Sequence, residues 1–322
     1  MISMVLLQVE NLRTYFGIIR GEVKAVDGVS FELNKGQSLG LAGESGCGKT
    51  TTALTILRLL PSNARIKEGK ISFDGEDILG LKDEVFRKAY RWKKISLISQ
   101  GAMNALNPVM TVGNQIAEAI MLHDDVKKDE AIDRVGKLLD LVGVGKERLQ
   151  RFPHELSGGM KQRSVIAMAL ACNPGLVIAD EPTTALDVIT EAQVLGVIKD
   201  LQKKLELSMI VISHDLSMIA ETCDSVAIMY AGKIVEQGDV VSVYKETLHP
   251  YTQKLIGAFP SIMGEKTDLL TIPGFPPDLL HPPSGCRFHP RCQYAKDICR
   301  KEDPEIVKIK GKEHYVACHQ VG

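Results

Sequence analysis

Three glycines ahead of a lysine and a threonine, in Gly43-Glu44-Ser45-Gly46-Cys47-Gly48-Lys49-Thr50, are the residues of this chain best suited to chemistry. Glycines let successive N–H groups turn towards one anion, and a helix that follows adds the positive end of its dipole. Gly43, Ser45, Gly46, Cys47, Gly48 and Lys49 would line such a phosphate cradle, with Thr50 and Thr51 opening the helix. Lys49 would reach the β- and γ-phosphates, and the Thr50 hydroxyl would hold Mg²⁺. The pattern predicts binding of a nucleoside triphosphate. A second set of reactive groups is Asp180-Glu181, which ends an apolar run. Two acids at the carboxyl end of a buried strand are costly unless a cation or a reaction uses them. Asp180 is then the Mg²⁺ partner and Glu181 the base for water. His214 also terminates an apolar run and is read as functional on that ground.

These groups need strands and helices to hold them. Ser38 to Ala42 reads as a buried strand feeding the glycine loop, and Thr51 to Leu60 as the helix after it. Leu7 to Leu12, Val29 to Leu33, Ile71 to Phe73, Ile95 to Ser99, Leu176 to Ala179 and Met209 to Ser213 read as further strands. Tyr15 and Phe16 precede a turn-rich segment, Gly17 to Gly21, where an aromatic either stacks on a nucleotide base or packs in a small sheet. From about Gly101 to Arg151 helical periodicity takes over, at 112–121 and 130–141, as an insertion within the nucleotide-binding fold. Pro153 breaks one element and Ser157 is placed to N-cap the next. A long helix is expected over Thr190 to Leu205, and a hairpin over Ser225 to Gln237. Beyond Phe259 prolines accumulate, marking a linker and a separate C-terminal module.

Composition narrows the classes. With 322 residues, 44% apolar and 25% charged, the chain can bury a sizeable core, and a net charge of −1 gives no general attraction to nucleic acid or an anionic bilayer. No run approaches the roughly 20 apolar residues of a membrane helix, and the N-terminus lacks the marks of a signal peptide, so a cytosolic chain is expected. Any membrane connection would come through another subunit. Cys47, Cys172 and Cys223 are scattered and read as free thiols. Cys286, Cys292, Cys299 and Cys318 cluster near the end, with His281, His289, His314 and His319 nearby. In a reducing compartment such clustering points to a metal, and the spacing alone does not choose between zinc and an iron–sulfur cluster.

Taken together, Gly43 to Thr50, Gln100, Leu156-Ser157-Gly158-Gly159-Met160, Asp180-Glu181, Asp187 and His214 resemble, in order and spacing, an ABC-type ATPase over about residues 5 to 240. Leu106-Asn107-Pro108, Phe152-Pro153-His154-Glu155 and the tail Cys286-Arg287-Phe288-His289-Pro290-Arg291-Cys292 resemble the dipeptide, oligopeptide and nickel permease branch. The resemblance implies an α/β phosphate-loop NTPase core, an N-terminal antiparallel β subdomain, a helical signature subdomain at about 101–172 and a small cysteine-rich module. The cassette would occupy 1–258 and the extension 259–322. It implies two cassettes paired head to tail, with ATP closed between the phosphate loop of one and Ser157, Gly158 and Gly159 of the other. By the same resemblance Gln100 ligates Mg²⁺, His214 contacts the γ-phosphate, Asp187 senses the partner and Phe16 is the adenine-stacking aromatic.

The implied partners are a second identical or related ATPase, two membrane permease subunits and an extracytoplasmic solute-binding protein, at the cytoplasmic face of the membrane and without nucleic acid. The helical insertion would dock coupling helices of a permease subunit beside Gln100. Relatives with such a tail look like [4Fe–4S] binders, which favours that cluster over Zn²⁺ as the ligand of the four cysteines. A soluble ABC ATPase of DNA repair or translation is the rival class. It is disfavoured by the single cassette, the short insertion and the lack of a basic tract. The transported solute, whether peptide, oligosaccharide or nickel, is not encoded in these motifs.

Overall fold

The structure, a computed structural model, describes residues 4–101, 104–258 and 272–321. In chain order its elements are β1 (Val5–Ile18), β2 (Gly21–Asn34), β3 (Ser38–Ala42), α1 (Lys49–Ile56), β4 (Ala64–Phe73), β5 (Glu76–Asp77), α2 (Asp83–Ala89), β6 (Ile95–Ile98), α3 (Val112–His123) and α4 (Lys128–Leu141). They continue with α5 (Gly158–Ala169), β7 (Leu176–Asp180), α6 (Val188–Leu205), β8 (Ser208–Ser213), α7 (Leu216–Thr222), β9 (Ser225–Tyr230), β10 (Lys233–Asp239), α8 (Val240–Lys245), α9 (Pro250–Gly257), α10 (Asp297–Lys301), β11 (Val307–Lys308) and β12 (His314–Val316). None of the described helices is long and apolar enough to cross a membrane.

The chain divides into two compact units. One comprises residues 1–6, 33–38 and 77–212, the other residues 7–32, 39–76 and 213–322. In the first, β6, β7 and β8 run parallel in that order, Ile95 opposite Leu176 and Leu176 opposite Ser208. All five residues of β7 are buried, as are all six of β8, which is why they read as continuous apolar runs rather than alternating ones. Helices α3, α4 and α5 pack on one another, and α5 packs on α6.

In the second unit β1 and β4 pair antiparallel, with a register shift between Glu10 and Arg13. β3 lies parallel to β9, and β10 returns antiparallel to β9. The core here gathers Ile219, Val226, Ile228, Tyr230, Tyr251 and Phe288. The described part of the C-terminal segment is not a detached appendage. β12 pairs with β10, Val316 opposite Glu236, and Phe288 meets Tyr230 edge-on at 5.1 Å between ring centroids. The proline-rich stretch 259–271 lies outside the described residues.

Several bounds differ from those expected. β1 and β2 each run for 14 residues, because one face is solvated and carries polar residues such as Gln8, Glu10 and Glu32 among the buried ones. Tyr15 and Phe16 consequently lie within a strand rather than ahead of a turn. α1 ends at Ile56 and not near Leu60, since Arg58 takes a left-handed conformation at φ 51°. α5, by contrast, starts at Gly158 with Ser157 as its N-cap, where the serine's placement put it.

Candidate nucleotide-binding site

The phosphate loop lies in the second unit between β3 and α1. Gly48 sits at φ +108°, and a Cβ there would meet the Ala25 carbonyl oxygen at 2.3 Å. Gly46 also needs its positive φ of 79°, but a Cβ there would meet nothing within 4 Å, so that side of the loop is open for a ligand. Lys49 is 6% exposed, and its Nζ donates to the carbonyls of Gly43 at 2.7 Å and Glu44 at 3.0 Å. The ammonium is thus folded onto the loop that would present it to phosphate. Amides in the first turn of a helix have no partner within it, so Lys49, Thr50 and Thr51 offer their N–H groups on the same side as the dipole's positive end. Cys47 is buried, and that burial raises its thiol pKa, so it is a neutral packing group.

Two further contacts fix the loop. The Glu44 N–H donates to the Tyr251 hydroxyl at 2.9 Å, and the Gly232 N–H donates to the Cys47 carbonyl at 2.9 Å. No local pattern points to Tyr251, which lies 207 positions away from Glu44. His214 follows β8 and is exposed, while its neighbour Asp215 caps α7 by accepting from the Ser217 N–H at 2.7 Å.

In the first unit Asp180 ends β7 and is 4% exposed. Glu181 follows with φ +47°, a left-handed conformation that costs a non-glycine residue of the order of 1 kcal/mol. Its N–H donates to the Ile212 carbonyl at 2.9 Å, which holds the turn in place. The Gln100 amide donates to Glu181 Oε2 at 3.0 Å, and the Thr184 hydroxyl donates to the same oxygen at 2.9 Å. Gln100 and Glu181 are therefore brought together 81 positions apart, and Thr184 joins them as a third member that no sequence motif marks. The fold turns the strained residue's carboxylate into a fixed acceptor beside Asp180.

The signature segment opens α5. Ser157 accepts from the Met160 N–H at 3.3 Å, and Ser157 and Gly158 are exposed at that helix's positive end. Gly159 is buried, and a Cβ there would meet Thr190 Cγ2 at 2.4 Å. Asp187 in turn accepts from the Thr190 hydroxyl at 2.6 Å and the Thr190 N–H at 3.0 Å. These hydrogen bonds lower the Asp187 pKa. Asp187, Thr190 and Gly159 form one connected corner, flanked by the exposed Val188 and Ile189. Thr190 links Asp187 to Gly159, and no local pattern in the sequence signals that role.

Of the two aromatics left open by the sequence, Tyr15 has a structural occupation. Its hydroxyl donates to Asp27 Oδ1 at 2.6 Å, and Asp27 also pairs with Arg13 at 3.0 Å and with Arg287. Phe16 is the next residue along the strand, so its side chain projects from the opposite face.

Cys286, Cys292, Cys299 and Cys318 line one small cavity with His289 and His319. All four are free thiols. Burial pushes Cys286 up to about 11, with the other cysteines adding to the rise, and burial likewise raises Cys292 and Cys318. Among the described residues, no group of three or more His, Cys, Asp or Glu is gathered closely enough to hold one metal ion. His314 is engaged elsewhere, its Nε2 lying 2.8 Å from Glu236 Oε1 in a fully buried pair.

A phosphate loop in one unit, and strand-end acids and a capped glycine signature in the other, are the elements of an ABC-type ATPase cassette. The ABC transporter family profile matches residues 26–184. Among solved structures, the dimeric ABC cassette MJ0796 bound to ADP and Pi aligns with TM-score 0.65 at 23% identity, over 73% of this chain and 99% of that one, a likeness of fold. The protein cbiO1 from Clostridium perfringens, part of the ABC transporter complex cbiONQ, aligns with TM-score 0.66 at 26% identity, over 75% and 91% of the two chains.

A second profile, the oligopeptide/dipeptide transporter C-terminal region, matches residues 235–299. The oligopeptide transport ATP-binding protein OppD of Bacillus subtilis is 46% identical over 97% of this chain and 87% of its own. The dipeptide transport ATP-binding protein DppD of Caldanaerobacter subterraneus is 40% identical over 98% and 97%. OppD of Escherichia coli is 44% identical over 93% and 89%. This chain belongs to the ABC transporter ATP-binding proteins of the oligopeptide and dipeptide type, and it is an ATPase.

Proposed function

We propose that the chain hydrolyses ATP to drive import of oligopeptides or dipeptides through membrane permease subunits that it contacts from the cytoplasmic side. The observation that carries this reading is full-length similarity to OppD and DppD, including the transporter-specific C-terminal region at 235–299. Import of oligosaccharides or nickel by the same machinery is the second reading within the branch.

In this proposal the chain's residues work mainly by positioning and charge neutralisation, as phosphoryl transfer requires. The loop amides and Lys49 hold the triphosphate, while Phe16 stacks on the adenine. Thr50, Gln100 and Asp180 are the donors for Mg²⁺, which would supply charge neutralisation at the β- and γ-phosphates. Glu181 accepts a proton from the attacking water at its carboxylate, and His214 holds the γ-phosphate. Ser157, Gly158 and Gly159 serve the nucleotide of a partner cassette, and the Asp187 corner lies at that interface. The exposed Val188 and Ile189 beside it support such a contact. The loop around Leu106 and Asn107, buttressed by the Gln115 side chain at 2.8 Å, is the candidate seat for a coupling helix.

The four cysteines are the candidate ligands of a structural or redox-sensing [4Fe–4S] cluster, with Zn²⁺ as the alternative. Four free thiols around one cavity suit either donor set.

The test is reconstitution of the chain with its permease subunits, sibling ATPase and solute receptor in proteoliposomes. Uptake of labelled peptide that needs ATP and is lost in Lys49→Ala supports the reading. ATP-dependent uptake of nickel or oligosaccharide and not peptide would replace the substrate. ATPase activity with no uptake of any of them would overturn the transport role.

A further inference from the structure

Glu44, the second residue of the phosphate loop, is a junction. Its carbonyl accepts from Lys49 Nζ at 3.0 Å and from the Cys47 N–H at 3.3 Å, and its own N–H is spent on Tyr251. Its carboxylate is gripped by a residue 247 positions away. Arg291 Nη1 donates to Oε2 at 2.7 Å and Nη2 donates to Oε1 at 3.0 Å, a two-pronged pair. The guanidinium is only 5% exposed. Its remaining donors go to the Pro273 carbonyl at 2.8 Å, the Gly274 carbonyl at 3.3 Å and the Tyr230 hydroxyl at 3.3 Å. A guanidinium fixed on so many sides cannot shift without carrying Glu44 with it.

Arg291 in turn belongs to the cysteine segment. It closes a 3₁₀ turn, His289–Arg291, immediately before Cys292. That turn is pinned by the His289 N–H to the Cys286 carbonyl at 3.0 Å, and Cys286 is pinned by its N–H to the Cys299 carbonyl at 2.9 Å. The fork's position is therefore set by the backbone that carries the cysteines.

We propose that Arg291 is a positioning residue for nucleotide binding, holding Glu44 and the phosphate-loop backbone in the receiving conformation, so that the cysteine segment contributes to ATP affinity. The pair has two effects. It restrains the carbonyls that hold Lys49, and it neutralises a carboxylate that would otherwise stand beside a polyanion. This rests on the reading of residues 43–50 as the ATP loop.

The experiment titrates the full-length chain with a fluorescent, non-hydrolysable ATP analogue and, separately, records thermal melting without nucleotide. Arg291→Met keeps most of the apolar stem and is expected to bind about tenfold more weakly, within the range of coupling between contacting charged groups. Arg291→Lys keeps the charge but not the fork, is expected about threefold weaker, and carries the test if the methionine variant is too unstable to titrate. In a Glu44→Gln background, Arg291→Met should cost less than about threefold, because no unpaired carboxylate remains. A merely structural role would lower melting in all variants without this non-additivity in affinity. Wild-type affinity in both arginine variants, or a penalty equally large with and without Glu44→Gln, overturns the proposal. Lys49→Ala separates the premises: if it binds as wild type does, the ATP-loop reading itself fails.

Discussion

Replacing Glu181 by glutamine separates the chemistry from the fold. The carboxylate accepts two hydrogen bonds on Oε2, from Gln100 at 3.0 Å and Thr184 at 2.9 Å. A glutamine can present its carbonyl oxygen to both donors, so the geometry persists and only the charge assistance of the two bonds is lost. At a half-buried residue that costs stability about 1 kcal/mol or less. Loss of a positioned base costs at least two orders of magnitude in rate, or about 2.7 kcal/mol on the barrier. Single-turnover hydrolysis of labelled ATP, with nucleotide binding and thermal melting measured on the same protein, tests the difference. Near-native melting and ATP affinity with turnover lowered 100-fold or more is the expected result. Turnover within a few-fold of wild type would refute Glu181 as the base. An equal loss of binding would refute the separation of roles.

Gly48→Ala must place a Cβ 2.3 Å from the Ala25 carbonyl at φ +108°, and is expected to lose about 2 kcal/mol of stability together with ATP binding, read by melting and titration. Asp27 pays a desolvation penalty that would raise its pKa, but the Tyr15 hydroxyl, Arg287, Lys233 and Arg13 outweigh it and the net shift is downward. Its contribution is therefore complete above the unfolded carboxylate value of about 3.9 and lost as pH falls through the lower folded value. Denaturant melts between pH 2 and 6 should show a shallower acid limb in Asp27→Asn than in wild type. Anaerobically purified protein is expected to be brown with iron and sulfide in equal amounts, and Cys292→Ser to lose both; a colourless protein with one zinc per chain would assign the site to zinc.

The phosphate loop and the strand-end acids were legible as candidates because each sits in a short local pattern. A buried strand, a glycine loop and a helix start occupy thirteen consecutive residues at 38–50, and the acids at 180–181 end a continuous apolar run. β7 and β8 were equally readable because burial on both faces leaves their interiors, residues 176–179 and 209–212, apolar throughout. The long outer strands were not, since the polar face of β1 hides its continuation past Leu12 and a register shift breaks the alternation. Least legible was the tie between the ends of the chain. Arg291 and Glu44, and Arg287 and Asp27, are 247 and 260 positions apart, and no local period reports such a pairing. The only trace was two arginines inside a cysteine-rich turn, at Cys286-Arg287-Phe288-His289-Pro290-Arg291-Cys292, whose burial requires anionic partners. Those pairings explain why the described tail folds into the nucleotide-binding unit and does not stand apart as its prolines suggested.

In the proposed mechanism one chain carries half of each nucleotide site, the phosphate loop for one ATP and the Ser157 signature for another. Sedimentation of Glu181→Gln with Mg²⁺ and ATP, alone and mixed with the sibling ATPase of its transporter, tests this most directly. An ATP-dependent dimer is expected in at least one of the two samples, absent with ADP and abolished by a Ser157→Arg substitution. A species that stays monomeric with ATP in both, or a dimer indifferent to nucleotide and to Ser157, would contradict it.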